Sequence, residues 1–170
     1  RVDEDPGWGV TAQWNKTISF NVRNQKLAMH SGAEAIDPEI LAPLKGSSNA
    51  VVSITTTYSI RGECVADVYS KYRTQERLEK DVLIPGIRDA VRVETAKYDP
   101  LTIKEERAVL SGKVIESLES RFDKNCVIVN NVDLGNITLD EGTETAIIER
   151  NKRFIEVDAA QAGLEKAQVD

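Results

Sequence analysis

Leu110, Val114, Leu118 and Phe122 recur at steps of four within LTIKEERAVLSGKVIESLESRF, which places them on one stripe of an amphipathic helix facing a core. The stretch after it, CVIVNNVDLGNITL, is rich in β-branched residues interrupted only by Asn, Asp and Gly, and predicts a strand. NAVVSITTTYSI, from Asn49 to Ile60, alternates strictly, with Val52, Ile54, Thr56 and Tyr58 on one face, and predicts a strand at the centre of the sheet. Nearer the start, Trp8, Val10, Ala12 and Trp14 alternate with small or polar residues, and Ile18, Phe20 and Val22 repeat the pattern after Asn15-Lys16. Two early strands, arranged as a hairpin, are expected there. Between His30 and Ser48, Pro38, Pro43 and two glycines predict an irregular loop, in which Ile36, Ile40, Leu41 and Leu44 suit a short helical turn starting near Asp37.

Helical spacing returns in VADVYSKYR, where Val65, Val68, Tyr69 and Tyr72 fall at three- and four-residue steps. From Thr74, a weak capping position, the apolar set Leu78, Val82, Ile87, Ala90, Val91 and Tyr98 continues the helical reading, with Pro85 marking a joint or a new first turn. Asp99-Pro100 breaks that run, and Thr102 followed by Glu105 and Glu106 predicts the N-terminus of the next helix. Near the end, Thr138 or Asp140 can cap a last helix over residues 141–170, which contains no proline. Ile147, Arg150, Phe154, Val157, Gln161, Leu164 and Gln168 make a heptad seam with polar members. That spacing suits a coiled coil and an amphipathic helix packed on its own domain equally.

A chain of 170 residues, 41% hydrophobic and 29% charged, with mean hydropathy −0.35, is one folded domain plus an appendage rather than a disordered polymer. The net charge of −6 and the lack of a Lys/Arg cluster argue against nucleic acid as a partner and against electrostatic docking on anionic lipid. Cys64 and Cys126 are too few for a disulfide framework and stand in no CxxC pair, so they are read as small buried hydrophobes. His30, the single histidine, excludes a His-rich metal site and is expected to be a surface or satisfied residue. The N-x-T triplets at Asn15 and Asn136 are read as chance occurrences. No candidate catalytic, cofactor-binding or metal-binding residue emerges. The chain starts at Arg1 without methionine, and a removed N-terminal segment is expected before a short tail over residues 1–7.

Taken in order, Tyr58-Ser59-Ile60, the Pro85, Ile87 and Arg88 run, the helix opening from Leu101 to Arg107, and Val127 to Ile137 leading into the last helix resemble the SPFH or band 7 superfamily of stomatins, prohibitins and flotillins, most nearly the prohibitins. The resemblance covers roughly Trp8 to Gln168 and departs from the family in its longer loop at His30 to Ser48. It implies an α+β fold: an SPFH-type domain over residues 8–140, with strands packed against amphipathic helices, and a C-terminal helix over 141–170 that starts a coiled coil. It also implies a non-enzymatic, membrane-associated scaffold without cofactors. Such proteins assemble with copies of themselves into rings or cages, attach through an N-terminal segment and, in several branches, restrain membrane proteases. Ile147, Phe154, Val157 and Leu164 are then the expected oligomerisation residues.

Two other readings compete. A monomeric adaptor could bind an extended peptide at a strand edge. An enzyme would need a convergent polar constellation, and the chain offers no Gly-rich phosphate loop and no GxSxG elbow.

Overall fold

The computed structural model describes residues 20–169, and their side chains as far as Gln161. Strand β1 (Gln25–Met29), β2 (Ile40–Pro43), β3 (Asn49–Ile60) and β4 (Val127–Leu139) form one antiparallel sheet. Helices α1 (Val65–Tyr72), α2 (Gln75–Leu78), α3 (Ile84–Thr95) and α4 (Arg107–Phe122) connect β3 to β4, and α5 (Glu141–Val169) follows the sheet. A π turn at Glu79–Leu83 joins α2 to α3. The fold is α+β.

β3 is central, as its alternation requires. Along it Ala50, Val52, Ile54, Thr56, Tyr58 and Ile60 are all buried on one face. β1 and β2 share one of its edges, with Leu27 opposite Thr56 and Ile40 opposite Val52, and β4 takes the other. β4 would lose its buried face if its period of two ran on unbroken through the polar pairs Asn130-Asn131 and Gly135-Asn136. Register shifts opposite β3 fall at these two places, and the bulges return Val127, Val129, Val132, Leu134, Ile137 and Leu139 to the core side.

Helix α4 packs as its spacing demands: Leu110, Val114 and Leu118 are fully buried and Phe122 nearly so. Each such side chain contributes about 1.5–3 kcal/mol of transfer free energy. The Ser111 hydroxyl donates to the Val132 carbonyl at 2.7 Å, fixing α4 over β4. Pro85 sits in the first turn of α3, where its missing N–H costs nothing.

Several expectations need correction. Trp8 to Ile18, the first part of the expected hairpin, lies outside the described residues, while Phe20 and Val22 precede the first strand rather than forming one. β1 begins instead at Gln25. The helical turn expected near Asp37 is absent: Ile40–Pro43 is extended as β2, an edge strand in which Pro43 needs no ladder donor. Its position is held from α3, where Arg88 donates from Nε and Nη2 to Asp37 Oδ2 at 2.9 and 2.7 Å, and Arg92 Nε donates to the Leu41 carbonyl at 3.1 Å.

Helix boundaries also move. α4 starts at Arg107 rather than Thr102, because residues 100–106 form successive turns and Asp99 Oδ1 accepts from the Leu101 N–H at 2.9 Å. Thr74, read as a weak cap, does cap α2: its hydroxyl accepts from the Arg77 N–H at 3.3 Å. Tyr98 lies in the turn beyond α3.

Cys64 and Cys126, read as independent buried thiols, are joined in a disulfide with their Cα atoms 6.0 Å apart. Sequence spacing hides this pairing, since 62 positions separate them. The sheet produces it. Ile60 at the end of β3 is paired with Val127 at the start of β4, so residues just beyond these ends are brought together.

Candidate assembly surface

α5 is started by a side chain and then left alone. The Asp140 carboxylate accepts from the Thr143 N–H at 3.0 Å and from the Thr143 hydroxyl at 2.7 Å, an N-cap that fixes where the helix begins. Hydrogen bonds to Thr143 and to the Asn49 N–H hold the Asp140 carboxyl below its ordinary range. The Asn49 bond, at 3.4 Å, also ties the helix start to β3. Farther on, Lys104 Nζ reaches Glu144 Oε1 at 3.3 Å.

Ile147 is half-buried against the domain core. Beyond it every described side chain, Ile148 to Gln161, is exposed, so the helix leaves the domain there. Among the expected seam residues, Phe154 is 70% exposed and Val157 57%, and the Leu164 side chain lies outside the described residues. Spacing alone did not single out Ile148 and Ile155, each 67% exposed. At about 100° per residue, the apolar positions 147, 148, 154, 155, 157 and 164 spread over about half the helix circumference, with Asn151 and Asp158 between them. Large aliphatic and aromatic groups exposed on a projecting helix make α5 the candidate contact surface among the described residues.

Other regions carry less. A cleft of about 350 Å³ lies between Lys45, Glu94, Lys97, Tyr98, Asp99, Thr102, Glu106 and Lys113. Its lysines are largely neutralised: Lys97 Nζ lies 2.8 Å from both Glu94 oxygens and Lys113 Nζ 2.9 Å from Glu116. It therefore presents no net field for an anion. His30 is half-buried, its ring lying against Gly32. Among the described residues no group of His, Cys, Asp or Glu side chains converges to hold a metal ion.

Compared with known proteins, residues 3–168 match the family model described as SPFH domain / Band 7 family. No curated protein matches the chain.

Proposed function

The chain belongs to the SPFH domain / Band 7 family, and from that membership we propose that it is a non-enzymatic scaffold unit that self-assembles through α5 beside a membrane. Members of the family are generally non-enzymatic, membrane-associated scaffolds. The observation that supports self-assembly is α5 itself, anchored to the domain as far as Ile147 and bare from Ile148 onward, with Ile148, Phe154, Ile155 and Val157 in water. A stripe half a circumference wide suits a helix with neighbours on both sides, as in a ring, better than a narrow two-stranded seam. Among the described residues no helix is long and apolar enough to cross a membrane. As part of this proposal, attachment is assigned to sequence on the N-terminal side of the domain, and membrane proteins, a protease among them, are counted as the clients organised.

The test is paired. Replacing Phe154 and Leu164 by Ser removes apolar groups contributing about 2 kcal/mol each if buried between subunits. The melting temperature of this 170-residue chain should stay within about 2 °C, because Phe154 is 70% exposed and lies beyond Ile147, where α5 packs on the domain core. The full-length, membrane-attached assembly should disperse on sizing. An intact assembly would refute the role of α5.

A second reading, a monomeric peptide-binding adaptor, draws on one observation: among the described residues β4 pairs only with β3, and its other edge carries no strand from among them. A full-length protein that stays monomeric across micromolar concentrations would favour it.

A further inference from the structure

The corner where β3 gives way to α1 is fastened to the corner where β4 begins. The Arg61 N–H donates to the Cys126 carbonyl at 2.9 Å, the Cys64 N–H to the Arg61 carbonyl at 3.1 Å, and the Cys126 N–H to the Asp123 carbonyl at 3.1 Å. Arg61 also forms an ion pair with Asp123, but its side chains are 36% and 62% exposed, and such pairs hold little by themselves. The covalent member of this group is the Cys64–Cys126 disulfide. Cys126 holds a left-handed backbone at φ 60°, which directs the chain from the preceding turn into β4. The loop that the disulfide closes contains α1, α2, α3 and α4, so one bond ties both ends of the helical layer to the sheet.

We propose that Cys64–Cys126 is a permanent structural clasp and that this domain stands on the oxidising side of its membrane. Both cysteines are half-buried, within reach of small thiols, so a glutathione-reduced compartment would hold them as thiols. Formation is a thiol–disulfide exchange: Cys64–SH and Cys126–SH give two electrons and two protons to an oxidant of the disulfide class, RS–SR, which leaves as two RSH. A closed loop of this length restricts the unfolded chain strongly, which is where such a bond stabilises. The clasp is independent of assembly through α5; only its placement beside a membrane rests on the function proposed above.

Thiol trapping decides the compartment. Cells making the full-length protein are quenched in acid, and the protein is alkylated in denaturant before and after reduction. Peptide mapping should find neither Cys64 nor Cys126 alkylated before reduction and both alkylated after it; both alkylated before reduction overturn the proposal. Oxidised cysteines on a protein that does not sediment with membrane would sink the attachment and leave the clasp standing. Free thiols on a membrane-bound protein would do the reverse.

Melting decides the clasp. The 170-residue chain with Cys64→Ser and Cys126→Ser should melt about 5–15 °C lower. The parent chain treated with a reducing agent should fall by a similar amount, so a variant that fails to fold still leaves a measurement. No shift under reduction, with both thiols shown to be free, overturns the structural role.

Discussion

Gly86 in the first turn of α3 lies directly beneath the Phe122 ring at the end of α4. A Cβ built on Gly86 would stand 2.5 Å from Phe122 Cε1 and 2.8 Å from Cζ, closer than real contacts allow. Phe122 is itself 2% exposed, so the ring has little room to retreat. Gly86 sets how closely α3 and α4 approach.

Gly86→Ala should therefore destabilise the domain by about 1–3 kcal/mol despite the higher helix propensity of alanine, because overpacking outweighs propensity here. Gly112, where an added Cβ would meet nothing within 4 Å, is the control: Gly112→Ala should be neutral or stabilising by up to about 1 kcal/mol. Urea denaturation of both variants measures the difference.

The buried Tyr58 hydroxyl donates to Glu79 Oε1 in the π turn and accepts from Gln75 Nε2 at 3.1 Å. Burial, then the Glu79 carboxylate, push the phenol above its ordinary value of 10.0. The folded state thus keeps a proton that the unfolded state releases above about pH 10. Tyr58 supports folding fully below that pH and loses this contribution as pH rises toward the folded value. Tyr58→Phe should cost about 1–2 kcal/mol at neutral pH, since Glu79 loses a donor, and should flatten the decline in stability above pH 10. Melts from pH 8 to 11 test this; equal slopes for parent and variant would count against it.

Val114 is fully buried on α4, whereas Val109 on the same helix is 58% exposed. Val114→Asp places an unpaired carboxylate against the sheet and should unfold the domain, a loss above about 4 kcal/mol. Val109→Asp should change stability by less than about 0.5 kcal/mol. Circular dichroism melts separate them.

Asp140 caps α5 as a carboxylate. Its folded value is depressed, so its contribution is present above the ordinary value of 3.8 and is lost as pH falls through the folded value. Helix content of the parent should fall over that acid range. Asp140→Asn should keep the cap and respond less to acid, while Asp140→Ala should fray the first turn of α5 at every pH. Ellipticity at 222 nm, followed from pH 7 to 2, is the readout.

Periodicity found β3 and α4, but the alternation through Phe20 and Val22 made no strand. The buried faces of β3 and α4 follow spacing alone, because burial is the only reason for apolar residues to recur at two or four. The long last helix was also legible, from the cap at Asp140 and the absence of proline. β1 and β2 were not. Gln25–Met29 is five residues with a lysine second, and Ile40–Pro43 is four residues ending in a proline; both are strands because β3 offers them an edge. The disulfide and the seat of Phe122 on Gly86 are tertiary facts between residues far apart in the chain. As for the candidate surface, the seam spacing pointed to Phe154 and Val157. Ile148 and Ile155 became apparent only when the helix was found standing clear of its domain.

The central position of β3 also has a consequence for synthesis. Its β1 and β2 partners precede it, so that edge can be zipped as soon as β3 leaves the ribosome, but Ala50 awaits Leu139 and Ile60 awaits Val127. Until α1 through α4 have been translated, a strand of twelve residues offers a bare ladder of amides and carbonyls to any neighbouring nascent chain. That interval is when mispairing between nascent chains is most open, and it favours holding the nascent edge by a chaperone until β4 arrives.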